Sequence, residues 1–302
     1  MSSPLIILGC GYIGGRLARA ALAAGRSVRV CARSTGRLAP LGELGAQVKF
    51  VDAAVVKNLG HAMASMDGAT VVYSIPPVAQ LPPGYAMRAA LQAAAGGGIG
   101  CFIHLSSSGL YGIDPDDETW IDEDSPTEHH DAPMAGVNTD EAAIDGSTFG
   151  SLRTVILRLA PVYGPGRGVR KRLRAGDYKI VDEGQHVVSR VHVDDVVGAI
   201  FAAEQHAPTG SKILIADDEP TTQLEYATFL CARMGLPLPP SKPLFASGAP
   251  RVPYRNRRIR NARMKQVLGY TLRYPTYREG EAAIEAEEQP VEQPVEQPVE
   301  VP

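Results

Sequence analysis

Short apolar runs alternate with stretches of helical spacing through the first half of the chain. Leu5–Leu8, Ser27–Ala32, Val48–Val51, Thr70–Ile75, Cys101–Leu105 and Thr154–Leu159 read as strands, and Lys212–Ala216 as another. Each is apolar nearly throughout instead of alternating, the pattern of strands covered on both faces. Ile13–Ala24 predicts a helix closed by Gly25, and Ala86–Ala95 a helix that stops at Gly96-Gly97-Gly98. This order predicts an α/β fold with a doubly wound parallel sheet.

The second half changes character. Pro-rich and polar segments, such as residues 236–240, separate helical patterns at Thr222–Met234 and Asn261–Leu268. A smaller, C-terminal substrate domain is expected there. The expected partition is residues 1–163 and 189–217 for the sheet domain, 164–188 and 218–284 for the substrate side, and 285–302 for a tail. Residues 288–302 repeat Glu-Gln-Pro-Val. Proline at every fourth position forbids a helix and nothing there builds a core, so a disordered tail of polyproline-II character is expected. It would serve as a passive solubilising tail or as an interaction tether.

Composition narrows the partners. The chain has 302 residues, 44% of them hydrophobic, enough for one large domain with a smaller companion. A net charge of -3 argues against a nucleic-acid partner. Glu287, Glu288, Glu292, Glu296 and Glu300 of the tail hide an asymmetry, because without them residues 1–286 stand at +2. That mild basicity suits a phosphate-bearing ligand. Cys10, Cys31, Cys101 and Cys231 are far apart and form no C-x-x-C pair, as expected in a reducing cytosol with neither disulfides nor a metal site. The N-terminal apolar run is too short for a signal peptide and lacks a basic flank, and no stretch reaches the length of a membrane span. A cytoplasmic, soluble protein without a membrane partner is expected.

The most specific chemistry lies in residues 5–14, Leu-Ile-Ile-Leu-Gly-Cys-Gly-Tyr-Ile-Gly. An apolar strand ends in Gly9, Gly11 and Gly14, and a helix follows. A dinucleotide pyrophosphate needs this order. Gly9 permits the tight turn, Gly11 lets the backbone approach the phosphates, and Gly14 lets the helix pack close to the sheet. The helix start, with Tyr12 and Ile13, offers N–H groups and a positive dipole end to the anion. Cys10 sits in the same loop, either activated by that helix end or present because it is small. The end of the second strand carries Arg33, Ser34 and Arg37 where an acidic residue would favour NAD(H). Guanidinium groups bind phosphates bidentately, so NADP(H) is favoured over NAD(H). Asp52 after the third strand is an acceptor for the adenine amino group or a turn residue, and Pro76 after the fourth completes the cofactor set.

Three further segments bear on identity: Leu105-Ser106-Ser107-Ser108-Gly109-Leu110-Tyr111-Gly112, residues 156–166 with Tyr163-Gly164-Pro165-Gly166, and Arg190-Val191-His192-Val193-Asp194-Asp195. With the glycine loop, in this order and spacing, they resemble the extended short-chain dehydrogenase/reductases, the NAD(P)-dependent epimerase/dehydratase family, over about residues 4–284. The resemblance implies a Rossmann domain, a smaller C-terminal substrate domain and an active site between them. It also implies that Ser107 hydrogen-bonds the reacting oxygen of a small-molecule substrate, Ser106 and Ser108 being the alternatives that cap backbone groups. Relatives often pair through helices flanking the sheet, so a homodimer is a further expectation.

One departure matters. The family's acid/base is a tyrosine followed four residues later by a lysine, and no Tyr-x-x-x-Lys occurs in this chain. If Gly136 matches the glycine that commonly follows the tyrosine, Ala135 and Thr139 stand in the two places. His129 and His130, or Tyr111 and Tyr163, are the candidates for a replacement proton donor. The arginine that sugar-nucleotide members carry four residues before the histidine is here Val188, with Arg190 nearest, which weakens a nucleotide-sugar substrate. Arg251, Arg255, Arg257, Arg258, Arg260 and Arg263 form a basic run that binds an anionic substrate or is a solvated edge. Two functions follow as expectations: an atypical oxidoreductase or epimerase acting at a carbinol or carbonyl carbon, or a catalytically silent dinucleotide-binding sensor or scaffold.

Overall fold

The structure is a computed structural model that describes residues 3–111, 118–127, 132–146, 150–243 and 256–288. The sheet half runs β1 (Leu5–Leu8), α1 (Tyr12–Ala23), β2 (Val28–Ala32), α2 (Ala39–Glu43), β3 (Gln47–Phe50), α3 (Lys57–Met63), β4 (Thr70–Tyr73), α4 (Tyr85–Gly96) and β5 (Cys101–Ser107). It continues through β6 (Trp120–Ile121), α5 (Ala132–Asp145), β7 (Arg153–Leu159), β8 (Val162–Tyr163), α6 (Val169–Arg174), β9 (Ile180–Val181), β10 (Val187–Val188), β11 (Val191–His192), α7 (Val193–His206) and β12 (Ser211–Ile215). The remaining elements are β13 (Thr221–Thr222), α8 (Gln223–Met234), β14 (Ser241–Lys242), β15 (Arg258–Ile259), α9 (Ala262–Leu268) and α10 (Tyr277–Glu288).

Seven parallel strands form the central sheet in the order β12-β7-β5-β4-β1-β2-β3. β1 pairs with β2 on one side and β4 on the other, Leu5 lying opposite both Val28 and Thr70. The strand order reverses there, so the crevice beyond the carboxyl ends of β1 and β4 is where such a sheet binds ligands. Apolar residues of α1, α7 and α9 cover one face, and those of α3, α4 and α5 the other. The two-sided cover expected of every strand fails at β3. Gln47, Lys49 and Phe50 are exposed, Phe50 at 60%. β3 is the sheet's last strand, and its polar residues keep that edge from pairing further. α1 closes as its glycine predicts, with Gly25 at φ +74° and Arg26 N–H donating to Ala21 O.

A separate apolar cluster joins Tyr163, Leu173, Ile180, Tyr226, Leu230 and Tyr277. The expected partition needs two corrections. Met264, Leu268 and Leu272 pack into the sheet-side core, so the α9 region belongs with α7. α10 runs to Glu288, into the segment assigned to the tail, because Ile284 is buried and Glu287 pairs with Arg16. At the start of α7, the buried Asp195 carboxylate accepts from Arg273 N–H at 2.6 Å, Tyr274 N–H at 3.1 Å and Tyr270 O–H at 2.9 Å. No helix among the described residues is long and apolar enough to cross a membrane.

One buried ion pair fixes α5 to the sheet. Arg158 of β7 lies 2.6 Å from Glu141 of α5, and both are nearly inaccessible. Glu141 also accepts from Ser106 Oγ at 2.5 Å, and Arg158 donates to Tyr111 Oη at 2.5 Å. Burial pushes the Glu141 carboxyl up, but the bonds from Arg158 and Ser106 and the Arg158 charge outweigh it and hold it below the ordinary range. A buried charge left without its partner is costly, so Glu141→Gln is expected to lower stability by about 3 kcal/mol. Urea unfolding at pH 7 measures this. With the folded pKa depressed, the wild-type advantage is present above the unfolded carboxylate value of about 4.3 and disappears as pH falls through the lower folded value. A difference between the two proteins that persists undiminished at pH 2 would contradict this assignment.

Candidate functional site

The three glycines of the N-terminal loop meet different constraints. Gly9 has φ +85°, and a Cβ there would lie 2.9 Å from Ile75 N and Ser74 C. A side chain is excluded by both the turn and the close passage of the segment after β4. At Gly14 a Cβ would lie 2.9 Å from Ile7 Cγ2, so the missing side chain sets the distance between α1 and the sheet. At Gly11 a Cβ would meet only Gly9 O, at 3.9 Å. The space above it is open, as backbone approach by a ligand requires. α1 starts at Gly11 without a side-chain cap and without an acidic residue in its first turn, which leaves its dipole end to an anion.

A groove of about 650 Å³ opens from this loop. Gly9, Gly11, Arg33, Ser34, Arg37, Asp52 and Pro76 all line it. Arg33, Ser34 and Arg37 are exposed and line the groove, and neither arginine is ion-paired among the described residues. Asp52 lines the groove, and its Oδ1 accepts from Ala54 N–H at 3.0 Å. Tyr12, Ile13 and Gly14 lie elsewhere. Tyr12 Oη donates to Pro165 O at 3.1 Å, Ile13 packs against the core, and Gly14 is on the buried face of α1 against Ile7. Cys10 lines the groove, but burial pushes its thiol up to about 11, so the helix end does not activate it.

Ser107 ends β5, its side chain half-buried. Its Oγ accepts from Gly109 N–H at 3.0 Å, leaving the hydroxyl hydrogen free to donate elsewhere. α5 crosses above this turn. A Cβ on Gly109 would lie 2.6 Å from Met134 Sδ, so Met134 caps the turn. Next to it come Ala135 and, one turn on, Thr139, whose Oγ1 donates to Ala135 O at 2.9 Å. Ser106 is committed to Glu141. Tyr111 is buried with its phenol on Arg158. Tyr163 is buried against His192 and Tyr226, with ring centroids 5.3 and 6.4 Å away, and burial pushes its phenol far above its usual range. Neither tyrosine reaches the Ser107 turn with a titratable proton. His129 and His130 lie outside the described residues.

Two other basic expectations separate. Arg190 is 5% exposed and stacks 3.9 Å over the Tyr226 ring, inside the C-terminal cluster. Arg257, from the basic run, donates from Nη2 to Gly109 O at 3.5 Å and so stands beside the Ser107 turn. Arg263 pairs with Asp124 at the surface, and Arg260 is exposed. Arg251 and Arg255 lie outside the described residues. Sequence reasoning missed the Glu141–Arg158 pair, Met134 as a cap and the buried Asp140 of α5. The neighbouring acids Asp140 and Glu141, in a helix of small and apolar residues, are the signal that was available. His192, at the start of α7, accepts from Asp194 N–H through Nδ1 at 3.2 Å. Burial pushes its imidazole down to about 4, so its 3.8 Å approach to the Asp194 carboxylate is not an ion pair at neutral pH.

Comparison with known proteins agrees with this geometry. Curated relatives include a 3-diazoavenalumate denitrifying reductase from a Streptomyces species, 30% identical over 178 residues, which are 53% of this chain and 57% of the relative. Protein YeeZ of Escherichia coli K12 is 34% identical over 122 residues, 40% of each chain. Among solved structures, a conserved protein of unknown function from Silicibacter pomeroyi is 27% identical with a TM-score of 0.78, over 95% of this chain and 99% of its own. DesIV of Streptomyces venezuelae, a dTDP-glucose 4,6-dehydratase with NAD and TYD bound, shares the fold at a TM-score of 0.78 and 19% identity, over 94% and 95% of the two chains. Residues 5–216 match the model of the NAD dependent epimerase/dehydratase family, and the chain belongs to that family.

Proposed function

We propose that this chain binds NADP(H) in the groove beside Gly11 and acts as an oxidoreductase, reducing the carbonyl carbon of a small anionic molecule to the carbinol. The observation that carries the reading is the convergence of Arg33, Ser34 and Arg37 on the groove that Gly9 and Gly11 open. The residues fit a dinucleotide, because Gly11 leaves open the space that a Cβ would enter and neither arginine is ion-paired to an acid among the described residues. Main-chain N–H groups at the start of α1 would hold the pyrophosphate. Arg33, Ser34 and Arg37 would hold a ribose 2′-phosphate. When bound, the nicotinamide supplies a hydride donor or acceptor. Ser107 donates its free hydroxyl hydrogen to the substrate oxygen. Arg257, beside Gly109 O, supplies the cation for an anionic substituent. The name of the Streptomyces relative, a reductase, favours reduction over epimerisation.

A specific observation favours a second reading. Met134, Ala135 and Thr139 put no titratable group where α5 passes the Ser107 turn. A dinucleotide-binding sensor without turnover has the same surface. Mixing the protein with NADPH and a panel of aldehydes, ketones and aryl carboxylates, with product analysis, separates the two. Bound cofactor with no product across the panel selects the sensor.

Three outcomes are expected. Gly11→Val fills open space, so it should abolish NADPH binding in a fluorescence titration while leaving the melting temperature within a few degrees. Arg33→Ala with Arg37→Ala should weaken NADPH at least about tenfold, one charge-assisted contact being worth roughly 1.5–3 kcal/mol, and leave NADH nearly unchanged. Equal losses for both cofactors would refute the 2′-phosphate assignment. Ser107→Ala should leave NADPH affinity intact and lower turnover by about a hundredfold, in the range for one positioned proton-handling group.

A further inference from the structure

Behind the dinucleotide groove lies a second pocket, of about 540 Å³, between the segment after β4 and α5. Its walls are apolar: Pro76, Pro77, Val78, Leu81, Pro82 and Ala86. Two glycines clamp the segment to α5. A Cβ on Gly136 would lie 2.8 Å from Pro77 Cβ, and one on Gly84, at φ +70°, would lie 3.1 Å from Thr139 Cγ2. The pocket is therefore built by close backbone approach. The acidic residue lining it is Asp140, 3% exposed. Its carboxyl makes no hydrogen bond or ion pair with any described residue.

An unpartnered buried carboxylate is costly, and Arg158 shows how the same helix satisfies its other acid, Glu141. Among the described residues no such partner is supplied at Asp140. Burial pushes its carboxyl up to about 6, against the opposing charge of Arg88. Arg88 is exposed and turned onto Pro83 O at 3.2 Å. The Tyr73 phenol, buried on the sheet side, is close enough to feel the Asp140 charge. A carboxylate in an apolar chamber accepts hydrogen bonds and attracts positive charge, and the walls take hydrocarbon.

We propose that this pocket is a second binding site, taking a ring-sized apolar molecule that bears an amine, with Asp140 as its anchor. Pro76, Pro77, Val78 and Ala79 line both this pocket and the dinucleotide groove, so the two sites share a wall. The site does not depend on the reading of the groove as a cofactor site.

Benzylamine, benzyl alcohol and benzoate, titrated into the full chain without dinucleotide and followed by NMR, test it. Benzylamine should bind at least tenfold more tightly than benzoate, with benzyl alcohol between them, and shifts should centre on residues 76–86 and on α5. Asp140→Asn should remove the preference for the amine. Ala86→Leu, which fills the pocket and spares the carboxylate, should block all three probes. Melting curves check that each variant is folded, and either variant alone suffices. Equal binding of benzylamine and benzoate, or an unchanged preference in Asp140→Asn, overturns the proposal. A dimer buried on this face, broken by Leu81→Asp and indifferent to benzylamine, overturns it as well.

Discussion

At residue 9 the chain leaves β1 with φ +85° while Ser74 and Ile75 pass within 2.9 Å of where a side chain would begin. That close passage exists because β4 lies directly against β1 and the strand order reverses between them. Everything on the ligand side inherits its position from it. The segment after β4 is drawn over the glycine loop and forms one wall of the groove with Pro76. Its far side then meets α5 at Gly136. One steric fact, the absence of a Cβ, thus sets the spacing of the loop and the groove together.

α5 is the second determinant. Its inner face is fastened by Glu141 to Arg158 and Ser106, beneath the end of β5. The helix is thereby held over Ser107, and Lys212 of β12 adds an ion pair to Asp145 at its end, 2.6 Å away. Met134 covers the turn, and Thr139 folds its hydroxyl back on Ala135. α5 thus presents small, apolar or self-satisfied side chains to the Ser107 turn.

The sheet was legible because its strands are apolar and bounded by glycine. β1, β2, β4, β5, β7 and β12 lie within a residue or two of the sequence reading. β3 misled because a short apolar run looks the same on an edge as inside a sheet, and exposure depends on which neighbours arrive. The groove residues were legible as well, since strand ends and a glycine loop converge by topology. Tyr12 was less so, because its ring turns towards Pro165, a partner 153 positions away. The polar contacts of α5 were not legible. Whether Asp140 or Glu141 meets an arginine depends on the helix's rotation against the sheet, which Arg158, a basic residue inside an apolar strand, decides. Arg190 escaped for a similar reason, its guanidinium being held by aromatic faces contributed from α8 and α10.

Asp195 constrains how the molecule responds to a ligand. Its two oxygens are engaged by a phenol and two main-chain groups of residues 270–274, at the first turn of a helix that packs on the sheet. Moving the 270–274 segment off α7 would strip three donors from a carboxylate with no access to water, a loss of several kcal/mol. The segment after α9 is therefore fixed to the start of α7 as part of the sheet-side core. A carboxylate with every oxygen engaged inside a core acts as a rivet, and the segment it pins cannot serve as a moving part.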